Sequence, residues 1–198
     1  MILEGILTTF SRTTGLKNIA AMGVTVNEQT GFDEIGHLKW FQIKPFEGSR
    51  TFANLKELGE GVFHLVDDAE LLARSALADA SDTALTKAEK VAAPVLIDAV
   101  MACEFQVVQA DWALPRSLLT CNVVATHAFR QWRGWNRAQN AVLELTILAT
   151  RVHLIPEKEI RAQLDLLRPL VEKTAGPKEW AGWNFVVAYL ERCWKEKP

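Results

Sequence analysis

The sequence predicts an α+β protein in which a β-rich front, folded as a small barrel or sandwich, is followed by a helical tail. Three observations carry this prediction. Residues 1–110 are broken into short apolar or alternating runs punctuated by Gly, Asn and Asp. Beyond Trp135 the hydrophobic period changes to about 3.6 and stays there. No repeat of about 20–50 residues and no Gly/Ser-rich linker interrupts the chain, so the helices are expected to pack on the barrel or across a dimer interface.

In chain order, strands are expected over Ile2–Phe10, Ile19–Val26, Leu38–Ile43, Gly61–Val66, Ala102–Ala110 and Arg116–Phe129, the last on the extended preference of Leu118, Leu119, Val123, Val124 and Thr126. Two short helices interrupt them. Ser49–Lys56 follows Pro45 and Gly48, carries a Ser cap and stops at Gly59; Asp67–Leu77 is capped by Asp67 or Asp68. Asn136–Leu154 then reads as a helix with Ala138, Val142, Leu145, Ala149 and Val152 on one face. Pro156 suits the first turn of the next helix, which carries Ile160, Leu164, Leu167 and Val171 and is expected to kink at Pro169. Gly176 should stop that helix and Pro177 start the last, whose Trp180, Trp183, Val187, Leu190 and Trp194 form one apolar stripe. The domain expectation is a barrel over residues 1–130 and a helical segment over 131–198.

Composition narrows the function classes. With 198 residues, 49% hydrophobic, 23% charged and only seven prolines, the chain can bury a core, which excludes disordered and collagen-like readings. A net charge of −2 offers no broad basic tract for nucleic acid. The N-terminus lacks a signal-peptide pattern and no apolar stretch approaches membrane-spanning length, so the expectation is a cytoplasmic protein without membrane or nucleic-acid partners. Cys103, Cys121 and Cys193 are far apart and odd in number, hence buried reduced thiols rather than a disulfide or metal set.

The common nucleotide-loop, serine-hydrolase and zincin signatures are absent. His37, His64, His127 and His153 are scattered; His64 with Asp67 and Asp68 reads as a strand end and helix cap, and no metal site is expected. Three segments carry chemistry. Lys44–Asn54 opens a helix with Ser49, Arg50 and Thr51 in its first positions, where free N–H groups, the helix dipole, two hydroxyls and two cations suit a phosphate, although an ordinary capped helix looks the same. Asn18–Gly23 places small residues in a strand, which lets a planar ligand approach the backbone or relieves crowded barrel packing. Arg137, Asn140, Glu144 and Arg151 form a polar strip beside Trp132 and Trp135, read either as a solvated face or as a ligand-lined one.

Ile2–Thr9, Asn18–Gly23, Lys44-Pro45-Phe46 with Gly48–Thr51, Gly61–His64 with Asp67-Asp68, and Asn136–Ala138 leading to Ile147–Arg151 together resemble an uncharacterised prokaryotic family of flavin-reductase-like proteins, a domain of unknown function. The resemblance covers almost the whole chain in matching order. It implies a six-stranded antiparallel split barrel of the FMN-binding type that forms a homodimer, with FMN at the subunit interface. Its Ser-Arg segment would contact the FMN phosphate, and Asn18–Gly23 would lie along the isoalloxazine ring. Carried over by position, the implied FMN contacts are Thr8, Asn18, Ala20, Ala21, Met22, Gly23, Lys44, Phe46, Ser49, Arg50, Thr51, Asn54, Asn136 and Arg137.

The resemblance implies either of two functions: an oxidoreductase that passes electrons from a reduced nicotinamide to an acceptor through FMN, or a non-catalytic FMN-binding sensor or carrier. No catalytic side chain is assigned. Of seven tryptophans only Trp40 falls in the front half, which suggests that Trp180, Trp183 and Trp194 are core and that Trp132 or Trp135 lies near the flavin.

Overall fold

A computed structural model describes residues 1–77, 80, 82–113 and 117–196. Its contacts divide the chain into two compact units, Met1–Val66 with Ser81–Gln131, and Asp67–Ala80 with Trp132–Pro198.

The first unit is a closed antiparallel barrel. Its strands are β1 (Ile2–Phe10), β2 (Lys17–Thr25), β3 (Trp40–Ile43), β4 (Glu60–Leu65), β7 (Met101–Asp111) and β8 (Leu118–Ala128), in the order β1-β2-β3-β8-β7-β4. Helix α1 (Arg50–Leu58) lies between β3 and β4 in sequence, and the two-residue strands β5 (Leu85–Thr86) and β6 (Val95–Leu96) pair in an excursion before β7. This is the split-barrel architecture expected; of the strand predicted from Arg116, its first residue lies outside the described residues. The β5–β6 pair was not expected, because two-residue strands are too short to show alternation.

Alternation builds the interior. Leu7, Phe63 and Cys103 stand in one register row and face inward with Val24, Phe41, Phe105, Leu119 and Cys121. Phe41 packs on Phe63 and Phe105 at ring-centroid distances of 5.7 and 5.1 Å. Truncating one such ring to Ala costs about 3–5 kcal/mol.

The opposite face of the same strands carries Ile6, His64, Ala102 and His127 in one row and Thr8, Val62 and Glu104 in the next. Segment 88–96 packs over them, through Ala88, Val91, Ala93 and Val95 on Val62 and Ala102. The polar residues of these rows anchor its backbone. Thr8 Oγ1 donates to the Pro94 carbonyl, Leu96 N–H donates to His64 Nε2 at 3.0 Å, and Glu104 accepts the N–H groups of Glu89, Lys90 and Val91 at 2.7, 2.6 and 3.2 Å. Burial holds His64 well below the usual imidazole range, at about 4, against the opposing pull of the Ile6 carbonyl. Burial would raise Glu104, yet the Glu89 and Lys90 amides and His127, 2.6 Å away, hold it below the ordinary glutamate value.

The thinnest seam of the barrel lies between β2 and β3. Strand β2 pairs with β1 over all nine residues, whereas β2 meets β3 at a single register pair, Thr25 opposite Gln42. From Lys17 to Val24, alternate backbone N–H and C=O groups therefore point away from β1 towards an unladdered edge.

The second unit holds α2 (Ala69–Leu77), α3 (Arg137–Ala149), α4 (Glu157–Thr174) and α5 (Pro177–Lys195). Their apolar faces meet around Leu145, Ile160, Val171, Val186 and Leu190, with Trp183 only 1% exposed, Trp194 buried and Trp180 packed against them. Trp183 and Trp194 are core, as expected, and Trp180 is half-buried at its edge. Asp68 Oδ1 caps α2 through Leu71 N–H at 3.0 Å. Two details differ from expectation. Helix α3 ends at Ala149 rather than Leu154, in a run of tight turns before Pro156. Helix α4, which contains Pro169, ends at Thr174. Gly176 does not stop it: Ala175 is the C-cap in extended conformation, and Gly176 is the N-cap of α5, its N–H held by Glu179 Oε2 at 2.9 Å.

Cys103 and Cys121 are buried and Cys193 is half-buried; all three are free thiols. Burial pushes Cys103 up to about 11 and Cys121 higher still. Among the described residues no helix is long and apolar enough to cross a membrane, and no three His, Cys, Asp or Glu side chains stand where they could share a metal ion.

Candidate functional site

The site is built where β3 gives way to α1. Phe46–Ser49 is a four-residue turn closed by Ser49 N–H to the Phe46 carbonyl at 3.1 Å, and Gly48 has φ +79°, a conformation that favours glycine. The buried Ser117 hydroxyl holds the turn from the barrel side by donating to the Pro45 carbonyl at 3.0 Å. Ser49 caps the helix: its Oγ accepts from Phe52 N–H at 3.1 Å and donates to the Phe46 carbonyl at 2.7 Å.

This cap leaves two amides over. The N–H groups of Arg50 and Thr51 make no hydrogen bond among the described residues, because the first residues of a helix have no partner within it. The Arg50 and Lys44 side chains are exposed. Two free amides, the positive end of the α1 dipole and a guanidinium that forms no ion pair among the described residues constitute an anion-binding arrangement.

Two side-chain bridges tie this helix end to the barrel. Asn18 Nδ2 donates to Thr51 Oγ1 at 2.9 Å, and Asn54 Nδ2 donates to Thr9 Oγ1 at 3.0 Å. Asn18 and Thr9 are register partners in β1 and β2, so both bridges start from the same rung. From Asn18 the half-buried backbone of Ala20, Ala21, Met22 and Gly23 continues along the open edge of β2. The anion end and the small-residue edge, two separate readings in the sequence, are thus joined into one surface.

An open cavity of about 590 Å³ adjoins the helix start, lined by Thr13, Glu47, Gly48, Ser49, Phe52, Ala53, Lys56 and Glu57. Glu57 fixes its far wall by accepting Ser11 Oγ at 2.9 Å and Thr13 N–H and Oγ1 at 2.8 and 2.9 Å. The Thr13 and Ser11 hydroxyls hold the Glu57 carboxyl below its ordinary value.

The structure brings Asn18, Ala20–Gly23, Phe46, Ser49, Arg50, Thr51 and Asn54 into this region. It does not bring Thr8, which is fully buried on the opposite strand face with its hydroxyl spent on Pro94. Asn136 and Arg137 belong to the second unit. There Asn136 caps α3, with Oδ1 accepting from Ala138 N–H at 2.8 Å and Nδ2 donating to the Thr174 carbonyl at 3.2 Å, while Arg137 is exposed. Arg137, Asn140, Glu144 and Arg151 are all exposed, as a solvated strip requires. Thr9, Ser117 and Glu57 escaped the sequence reading; only Thr9 was within reach, from its place opposite Asn18 in a hairpin whose turn is short. No His, Cys or Tyr occurs in Lys17–Thr25 or Lys44–Asn54.

Comparison with known proteins agrees with this architecture. Residues 3–130 match the N-terminal domain of a protein family of unknown function, DUF447, and residues 136–186 match the second part of the same family. The chain belongs to the DUF447 family. No curated protein matches this DUF447 chain in sequence. Among solved structures, an FMN-bound DUF447 protein of Methanosarcina mazei superposes with a TM-score of 0.77 at 21% identity, over 95% of this chain and 94% of that one. A 2-nitrobenzoate 2-nitroreductase of Pseudomonas fluorescens gives 0.52 at 21% identity, over 63% and 64%. A flavoredoxin of Methanosarcina acetivorans gives 0.53 at 13% identity, over 63% and 67%. At these identities the likeness is one of fold: this DUF447 chain has the split barrel of those proteins, and the match to the M. mazei protein extends over 95% of the chain.

Proposed function

We propose that this DUF447 protein binds FMN, with its phosphate at the start of α1 and its ring along the open edge of β2, and that it is an oxidoreductase of flavin-reductase type working as a cytoplasmic homodimer. The observation that carries the reading is the Asn18–Thr51 bridge, which joins a two-amide anion site to an unladdered strand edge. That combination suits a ligand with a phosphate at one end and a flat, edge-polar ring at the other. The M. mazei relative, bound to FMN on the same fold, supports it.

In this reading residues 1–130 hold the cofactor and residues 131–198 form the helical segment. The Arg50 and Thr51 amides and the Arg50 guanidinium hold the phosphate, with Lys44 adding a point charge. The backbone of Asn18–Gly23, with the small Ala20, Ala21 and Gly23 along it, offers N–H and C=O groups to the polar ring edge. When bound, FMN supplies the redox chemistry, taking a hydride from a reduced nicotinamide and passing two electrons on. The chain's own part is to fix the ring and leave one face accessible.

The test is absorbance of the protein with FMN, then anaerobic mixing with NADH or NADPH. Retained flavin that bleaches within seconds supports the reductase. Retained flavin that neither donor reduces leaves a binding protein, and failure to retain FMN removes the proposal altogether.

A further inference from the structure

The cavity beside α1 is larger than a phosphate monoester needs. Its 590 Å³ falls within the range of about 300–1,000 Å³ that holds small organic ligands, and a monoester ending at the Arg50 and Thr51 amides leaves it empty. Cavity and anion site meet at Gly48 and Ser49, which precede those amides in the chain and line the cavity. The junction is open. A Cβ at Gly48 would meet no atom within 4 Å apart from its chain neighbours, and the Ser49 hydroxyl is turned onto the Phe46 carbonyl and the Phe52 N–H. A phosphate held at the helix start therefore has room for a further substituent on this side.

The lining sets the chemistry of that substituent. Phe52 meets Trp112 edge to face at 5.3 Å and 81°, which gives the cavity an aromatic wall, and Lys56 Nζ lies over the two rings at 5.7 and 6.0 Å. The exposed Glu47 carboxylate makes no hydrogen bond or ion pair among the described residues, so it is a free acceptor. Glu57 differs, because its oxygens already take the Thr13 amide and the Thr13 and Ser11 hydroxyls; it fixes the far wall and binds nothing further. An aromatic wall, an ammonium and one free carboxylate suit a flat heterocycle, its acceptor nitrogens and a vicinal diol, in that order.

We infer that the α1 cavity is a subsite for an adenosine 5′-phosphate group, contiguous with the phosphate site at the start of α1. The adenine lies on Phe52 with its ring nitrogens towards Lys56, and Glu47 accepts from the ribose diol. FAD and a nicotinamide dinucleotide both carry this group. Continuity with the flavin phosphate favours FAD, whose second phosphate follows the first through one bridging oxygen. The inference rests on the phosphate placement of the proposed function.

The experiment is fluorescence titration of the full chain with FMN and with FAD, and calorimetry of the FMN-loaded protein with ADP-ribose, each in wild type, Phe52→Ala and Glu47→Gln. Affinity for FAD relative to FMN is expected to fall about ten-fold in Phe52→Ala, the loss of one base–aromatic stack, and about three-fold in Glu47→Gln, where a charged acceptor becomes a neutral one. Glu47 is an exposed turn residue, so that variant carries the test if Phe52→Ala does not fold. ADP-ribose that binds the FMN-loaded wild type and not Phe52→Ala also upholds the subsite and assigns it to the nicotinamide dinucleotide. An FAD-to-FMN ratio that is the same in every folded variant, with no ADP-ribose binding, overturns it. Wild type that binds no FMN counts against the cofactor reading, whereas FMN binding with an unshifted ratio and no ADP-ribose binding counts against the subsite alone.

Discussion

Asn18 Nδ2 donates to Thr51 Oγ1 at 2.9 Å, and this one contact ties the second residue of α1 to the second residue of β2. Thr51→Val keeps the side-chain shape and removes the acceptor. The expected loss is about 1 kcal/mol of stability, read from urea unfolding, together with a several-fold weakening of FMN binding because the anion site and strand edge are no longer held in register.

Arg50 is expected to behave differently. It is exposed and makes no contact among the described residues that folding needs, so Arg50→Ala should unfold like wild type. Its FMN affinity should fall by about 1.5–3 kcal/mol, the loss of one charged hydrogen-bonding contact, measured by fluorescence titration. An unchanged affinity would remove the phosphate from this helix end.

Acid should act through His64. An unfolded histidine binds its proton near pH 6.5, whereas buried His64 binds it only at about 4. Between these values the unfolded chain holds the extra proton, so stability falls as pH drops from about 6.5 to about 4 and levels off below. At about 1.4 kcal/mol per pH unit the total is on the order of 3 kcal/mol. Urea midpoints across that range check the slope, and His64→Gln should flatten it.

Glu104→Ala strips the anchor from the Glu89, Lys90 and Val91 amides and from His127. Leaving the buried Val91 amide and its part-buried neighbours unpaired should cost about 1–3 kcal/mol. Hydrogen exchange gives the local signature, with the Lys90 and Val91 amides losing protection well before the barrel strands do.

Thiol labelling should rank the cysteines. Cys193 is half-buried, whereas Cys103 and Cys121 are buried and pushed away from the thiolate form. In the native protein Cys193 should react first and the other two at the rate of unfolding.

How much was legible in the sequence follows from the range of each interaction. The barrel strands and the helical tail rest on local periodicity, and the Ser49 cap on short-range chemistry, so they could be read directly. The Thr8 assignment misled because adjacent strand residues face opposite ways: Thr9, not Thr8, meets α1, and only the register decides which. Gly176 misled for a similar reason, since a glycine between two helices serves either end and the Glu179 carboxylate settled the choice. The Asn18–Thr51 bridge spans 33 residues and left no local trace.

The nearly ladder-free seam of β2 has a further consequence for how the protein keeps to itself. Exposed strand edges recruit other strands, and soluble proteins guard them with charges, prolines or bulges. Asn18-Ile19-Ala20-Ala21-Met22-Gly23 carries none of these guards. Whatever lies along that edge therefore serves as its guard, and a chain stripped of it presents six uncharged residues as a template for aggregation. In the proposed binding mode, solubility and ligand loading are coupled through one strand.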